Sequence, residues 1–306
     1  MMSTHLTGML GTDAGYRADM ADRQAWDLAF DPATGFRRTQ EEIGASNLLP
    51  SAQWPNFFSR LVARLQWDAR AIDLAPDAAA WPDLPDERRE RLTTLLAGFR
   101  VAEDAVAEHI KPFGEAANNS LVAWVLYLQR RDEQRHSVMF DRIAEEVLKL
   151  PGDTPDERLD AAREHAPAGV LELFEERLPA MAADLAAGRA RVDAGIGLYH
   201  MILEGIVLLS GQHALVADLE DGPLPGVLEG VERVEKDERW HIGFGLRCLI
   251  DAKPSPELID EVLATAEDAS RAWGDAVPAE IREAVVPMCR RRLGIAKLLD
   301  PREAAA

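Results

Sequence analysis

Glu103 is followed about thirty residues later by Glu133-Gln134-Arg135-His136, and Glu204 by Glu238-Arg239-Trp240-His241. Each half of this pattern gives one lone glutamate and then a Glu-x-x-His. Residues at i and i+3 are neighbours on one helix face, so each Glu-x-x-His can present a carboxylate and an imidazole to the same ion. The separation suits two neighbouring helices joined by a short turn. Two such helix pairs facing each other would bring four carboxylates and two imidazoles to one point. That is the ligand set of a di-iron or di-manganese carboxylate site in a helical bundle.

The setting of these residues strengthens the reading. A glutamate within an apolar stripe is expensive to bury unless a partner or a metal meets its charge. Glu103, Glu133, Glu204 and Glu238 all fall on stripes that otherwise read as core. Carboxylate with imidazole suits iron or manganese better than copper or a thiolate-bound metal, and zinc sites use fewer carboxylates. On this reading Glu103, Glu133 and His136 hold one metal, and Glu204, Glu238 and His241 hold the other. Asp132 and Asp237 each precede a ligand glutamate. Either could accept the second N–H of a ligand histidine from the neighbouring helix and so fix its tautomer. His109, His200 and His213 lie beside the stripes and read as satisfied or partly exposed histidines, while His5 and His165 fall in loops. The Gly243 and Gly245 pair reads as a close approach of helices.

The elements that must position these residues are almost all helical. Residues 1–50 show weak periodicity and predict irregular chain with a short helix or two. The N-terminal arm extends to about residue 80, with a helix or packed arm over Trp54–Leu65. Pro85-Asp86-Glu87 marks a helix start. Leu92, Leu95, Leu96, Phe99, Glu103, Val106 and Ile110 then share a stripe, broken at Pro112-Phe113-Gly114. Asn118-Asn119-Ser120 can cap the next helix, on which Val122, Leu126, Gln129, Glu133, His136, Phe140 and Ile143 line up. A shorter helix is predicted near 167–187, a very apolar one over 190–218, and another over 227–250 after the turn Gly222–Gly226. Two more follow near 255–270 and 278–297, the second kinked or split at Pro287. The tail 301–306 reads as frayed. The predicted class is all-α, with 1–306 as a single domain whose metal-binding core spans about 85–250.

Composition narrows the function. The 306 residues are 47% hydrophobic and 28% charged, as for a soluble globular protein with a sizeable core. A formal net charge of −19 disfavours nonspecific binding to nucleic acid or anionic membranes. The two cysteines, Cys248 and Cys289, make no disulfide framework, so a reducing cytoplasm is expected. No uninterrupted apolar run is long enough for a stable membrane span, because His200 and Glu204 break Gly195–Leu209. The N-terminus lacks the pattern of a signal peptide. P-loop, dinucleotide and nucleophile-elbow motifs are missing from the sequence.

The motifs together resemble the ribonucleotide reductase small subunit and, more closely, its relatives the ligand-binding oxidases. The resemblance covers about residues 65–250. It rests on Trp67-Asp68 through Ile72-Asp73, on Ala102 through Val106, on Asp132 through His136, on Tyr199 through Gly205, and on Asp237 through His241. It implies a ferritin-like four-helix bundle with flanking helices and a homodimer. The implied cofactor is a manganese/iron pair, with two irons as the alternative. The implied reaction is a two-electron oxidation using O₂, with a long-chain fatty acid or similar lipid bound near the metals.

Phe140 stands where the reductase has its radical tyrosine, one turn after the first ligand histidine. The reductase's C-terminal tyrosine also has no counterpart among Tyr16, Tyr127 and Tyr199. In the oxidase branch a valine three residues after the first ligand glutamate is joined by an ether link to a tyrosine five residues before the third. Those positions are Val106 and Tyr199. Tyr199 and Glu204 lie roughly 140° apart on an ideal helix, so both reach the interior only on a helix apolar all round or through a π-type distortion. Gln129-Arg130-Arg131 is more basic than the branch pattern, and the Asn118–Ser120 connection is shorter. A divergent reductase subunit and a non-catalytic metal-binding bundle remain the alternatives.

Overall fold

The computed structural model describes residues 54–220 and 222–299. The expectations for residues 1–50, for His5 and for the tail 301–306 lie outside the described residues. Within 54–80 the arm is more ordered than its sequence suggests. Helix α1 covers Trp54–Val62 and α2 covers Ala75–Ala80, with a 3-10 turn at Ala69–Ala71 between them. Burial explains this order. Phe58, Leu61 and Val62 are in the core, and the Phe58 ring meets Phe244 edge-on at 5.4 Å.

Four long helices carry the predicted site. α3 (Asp86–His109) begins after Pro85, and Asp86 and Glu87 in its first turn complement the positive end of the helix dipole. A short helix α4 (Lys111–Ala116) follows, with Pro112 at its start. α5 (Ser120–Ile143) is capped by Asn119, whose side-chain oxygen accepts from the N–H groups of Leu121 and Val122. α6 (Pro155–Arg163) opens with a full capping box between Thr154 and Glu157. α7 runs through Ala168–Leu171, Glu172–Arg177 and Leu178–Ala186. α8 (Val192–Leu219) and α9 (Pro225–Ala252) complete the set. α3 packs along α5, and α8 along α9, while α5 touches α9 across the bundle. No strand occurs among the described residues.

α8 is long and apolar enough to cross a membrane by length and composition, with a mean hydropathy of 1.6, but 83% of that stretch is buried inside the protein. Its neighbours include α3, α9 and the two last helices, α10 (Pro256–Ala269) and α11 (Ala279–Ile295). Its middle, Gly197–Leu208, is wound as a π-helix. Wide turns leave backbone groups in need of partners, and side chains from elsewhere reach these carbonyls. Trp273 Nε1 donates to the Val207 carbonyl at 2.7 Å. An added Cβ on Gly205 would sit 3.0 Å from the His200 carbonyl, so the wide turn itself requires a small residue there.

α11 continues through Pro287, where the sequence predicts a kink or a split. Proline removes one backbone hydrogen bond. Val285, Met288, Cys289 and Leu293 are buried on either side of it and hold the two parts of the helix to one core.

Candidate metal centre

Each half of the bundle delivers its residues by helical periodicity. α3 turns Glu103 inward with Leu96, Phe99 and Val106, and α5 turns Glu133 and His136 inward with Leu126, Gln129 and Phe140. α8 contributes Glu204 and Tyr199, both fully buried. Both face inward because the hydrogen bonds of a π-helix run from i to i+5, which brings residues five apart onto one face. α9 contributes Glu238 and His241 from the buried row that also holds Val231, Val234 and Gly245.

The six residues meet in the middle. One ligand atom each from Glu103, Glu133, His136 and Glu238 lies within 4.8 Å of the others, and the same holds for Glu133, Glu204, Glu238 and His241. The sequence reading divides the six by chain order, three to each metal. The structure instead places Glu133 and Glu238 in both groups, because α5 and α9 face each other across the centre.

Both imidazoles turn Nδ1 inward. His136 Nδ1 is 3.3 Å from Glu103 Oε2 and 3.4 Å from Glu238 Oε1. His241 Nδ1 is 3.1 Å from both Glu133 Oε1 and Glu204 Oε1. The outer nitrogens point crosswise to the aspartates of the opposite helix. His136 Nε2 is 3.1 Å from Asp237 Oδ2, a hydrogen bond. His241 Nε2 is 3.8 Å from Asp132 Oδ2, too far for one. Trp67 Nε1 donates to the same Asp237 oxygen at 2.8 Å. Arg135 spans Asp132 and Asp237, at 2.8 Å from each, with its guanidinium 5.0 Å from the centre of the Trp67 ring.

The electrostatics are those of crowded acids in a dry interior. Burial, with repulsion from Glu238 and Glu133, pushes the Glu103 carboxyl up to about 8. Burial and Glu238 likewise raise Glu204 well above the usual carboxylate range. Burial would also raise Glu133, but His241 and His136 outweigh it and hold that carboxyl below its ordinary value. The carboxylates in turn outweigh burial at His136 and His241 and raise both imidazoles. Burial and mutual repulsion thus favour the neutral carboxyl at Glu103 and Glu204.

The donor set fits a metal pair. Glu103 Oε1, Glu133 Oε2, Glu204 Oε2 and both Glu238 oxygens are buried without a hydrogen bond. Unpaired buried carboxylate oxygens are costly, and four carboxylates with two inward imidazole nitrogens suit hard first-row ions.

The family model described as ribonucleotide reductase, small chain, matches residues 52–282. The chain belongs to the ribonucleotide reductase small-chain family. Among solved structures it is similar to R2-like ligand-binding oxidases. A point variant with an anaerobically reconstituted Mn/Fe cofactor superposes with a TM-score of 0.65 at 22% identity, over 80% of this chain and 93% of that one. A second, with aerobically reconstituted Mn/Fe, gives 0.64 at 21%, over 84% and 97%. A third, with Fe/Fe, gives 0.61 at 23%, over 84% and 88%. These likenesses show the shared ferritin-like helical fold.

Several contacts of this small-chain relative escape sequence reasoning. Phe140 stacks on Phe99 at 5.1 Å and brings no hydroxyl to the centre. His200 is fully buried against Tyr199, and burial followed by His241 lowers its imidazole to about 3, so it is neutral. His213 lies 3.9 Å from Glu235, and His165 sits in a turn. Gly245 admits His200, since a Cβ there would lie 2.2 Å from the His200 Cβ. The Tyr199 hydroxyl donates to Glu133 Oε1 at 2.7 Å. Gln129, which the sequence places only on a stripe, touches Tyr199, Glu204 and His200 at once. A polar residue on that apolar stripe was the available signal.

Proposed function

We propose that this chain is an oxygen-activating dinuclear metal oxidase that carries a manganese/iron pair, with two irons as the alternative. Glu103, Glu133, His136, Glu204, Glu238 and His241 would hold the metals. The observation that carries the reading is the set of buried carboxylate oxygens without hydrogen bonds around two inward imidazole nitrogens. When bound, the metals would supply the electrons and Lewis acidity for reducing O₂ and the oxidising power for a two-electron oxidation.

The residues of the chain do the rest. Asp237 holds His136 with its proton on Nε2, which frees Nδ1 to ligate. Asp132 stands opposite His241 in the equivalent place. The apolar, mostly buried length of α8 supports the reading of a hydrophobic ligand such as a long-chain fatty acid beside the centre. The Tyr199 hydroxyl is oriented by its hydrogen bond to Glu133 Oε1. Val106, one turn beyond Glu103, is fully buried. An ether between Val106 and Tyr199 would form as one C–H and one O–H bond break and one C–O bond forms. The two protons and two electrons released would pass to O₂. A homodimer in a reducing cytoplasm completes the reading.

The test is aerobic loading with manganese and iron, or iron alone, followed by tryptic mass spectrometry. A linked Val106/Tyr199 peptide pair, lighter by two hydrogens than the separate peptides, is expected. Separate peptides throughout would sink the ether link, and failure to bind either metal would sink the oxidase.

One observation favours a second reading, a divergent reductase small subunit. Trp67, Asp237 and His136 form a hydrogen-bonded line from a half-buried indole to the centre, a path for an electron from a partner. Capture of a large subunit with restored nucleotide reduction would favour it.

A further inference from the structure

We propose that Gln129 is a positioning residue that sets the direction of the Tyr199 O–H bond. The inference rests on the oxidase reading for its consequence, but its geometry stands apart from that reading.

Gln129 lies on α5 one turn before Glu133 and is fully buried. Its Nε2 donates to the Tyr199 hydroxyl oxygen at 2.9 Å and to Glu204 Oε1 at 2.9 Å. Its Oε1 lies 3.2 Å from His200 Nε2. A primary amide has two N–H donors and one carbonyl acceptor, so every polar group of this side chain is engaged. The amide holds this orientation where Glu204 is a carboxylate and His200 carries its proton on Nε2: a flip would then set acceptor against acceptor at Glu204 and N–H against N–H at His200.

That fixed amide decides the phenol. Tyr199 has one O–H, and Gln129 already offers a hydrogen to its oxygen. The O–H is left to point at Glu133 Oε1, 2.7 Å away, rather than toward Glu204. Glutamine does this without adding charge beside four carboxylates. A lysine or arginine would donate too, but would compete with the metals for them. An apolar residue would leave the Tyr199 oxygen, Glu204 Oε1 and the His200 ring nitrogen short of partners in a fully buried site.

The full chain has only three tyrosines, Tyr16, Tyr127 and Tyr199, which makes the test direct. Protein labelled with ¹³C at tyrosine Cζ is compared as wild type, Gln129→Met and Gln129→Glu, without metal and loaded with zinc as a diamagnetic ion. Methionine keeps the volume; glutamate keeps an acceptor for His200 but offers Tyr199 no donor when ionised. Both variants should move the Tyr199 resonance and leave that of the exposed Tyr127 in place. Aerobically loaded Gln129→Met should retain two metals per chain and lose about tenfold in Val106/Tyr199 cross-link yield, the factor that one lost hydrogen bond represents. An unmoved Tyr199 resonance in both variants overturns the proposal, as does a Gln129→Glu protein that matches wild type, because filling space and pairing His200 would then suffice. Loss of metal from Gln129→Met also overturns it, since the amide would then serve the ligand shell. If wild type itself forms no cross-link, the ether reading falls while the resonance comparison still decides the role of Gln129.

Discussion

Asp237 Oδ2 on α9 lies 3.1 Å from His136 Nε2 on α5, so an aspartate beside one half of the site orients the histidine of the other. Burial alone would raise the Asp237 carboxyl, but His136, Arg135 and Trp67 together hold it below its ordinary value. It therefore stays an acceptor. Asp237→Asn should weaken metal binding about 10–100-fold, read by competition with a chelator. Asp132→Asn should cost less, because Asp132 Oδ2 is 3.8 Å from His241 Nε2.

Shared carboxylates make a different prediction from unshared ones. Glu133 and Glu238 belong to both ligand groups, whereas Glu103 and Glu204 belong to one each. Glu238→Ala should lower occupancy at both metal positions. Glu103→Ala should lower it chiefly at one. Metal analysis after loading separates them: one metal retained by Glu103→Ala, and fewer than one by Glu238→Ala.

Metal binding should release protons and weaken on acidification. A carboxyl that holds its proton up to about 8, as Glu103 does, must lose it to ligate. The raised His136 and His241 imidazoles must also become neutral. Each displaced proton makes apparent affinity rise with pH until its group is free of protons. Affinity should therefore climb with pH through neutrality and past about 8, where Glu103 gives up its proton. Calorimetric titration in buffers of different ionisation enthalpy reads the proton count, and a buffer-independent heat would contradict it.

Asp77 is the stability counterpart of these site residues. It is fully buried, and its two oxygens accept from the N–H groups of Gly226 at 3.0 Å and Val227 at 2.7 Å, the start of α9. The first N–H groups of a helix have no partners within it. Asp77→Ala should cost about 1–3 kcal/mol, seen as a lower urea midpoint with an unchanged slope.

Gly245 should tolerate no side chain. Its Cβ would lie 2.2 Å from the His200 Cβ, so α8 and α9 would have to part. Gly245→Ala should destabilise by about 1–3 kcal/mol, measured as a fall in Tm. Because His200 backs Tyr199 at 4.4 Å between ring centres, the Tyr199 Cζ resonance should move as well.

The sequence by itself determined the order of the long helices, a cap within Asn118–Ser120, and the placement of four glutamates and two histidines on buried stripes. Those are properties of single helices, and a helix's own periodicity reports them. The motifs together carried the family. Tertiary structure alone decided which carboxylates stand in both clusters of ligand atoms, because periodicity shows which face of α5 or α9 is inward but not what stands opposite. The crosswise pairing of Asp237 with His136 and the threefold contact of Gln129 likewise depend on side chains brought together from distant helices. The π-wound stretch of α8 belongs to both levels. The five-residue step from Tyr199 to Glu204 allowed either a helix apolar all round or a wider turn. The Trp273 indole on the Val207 carbonyl, which supports that turn, comes from a distant part of the chain.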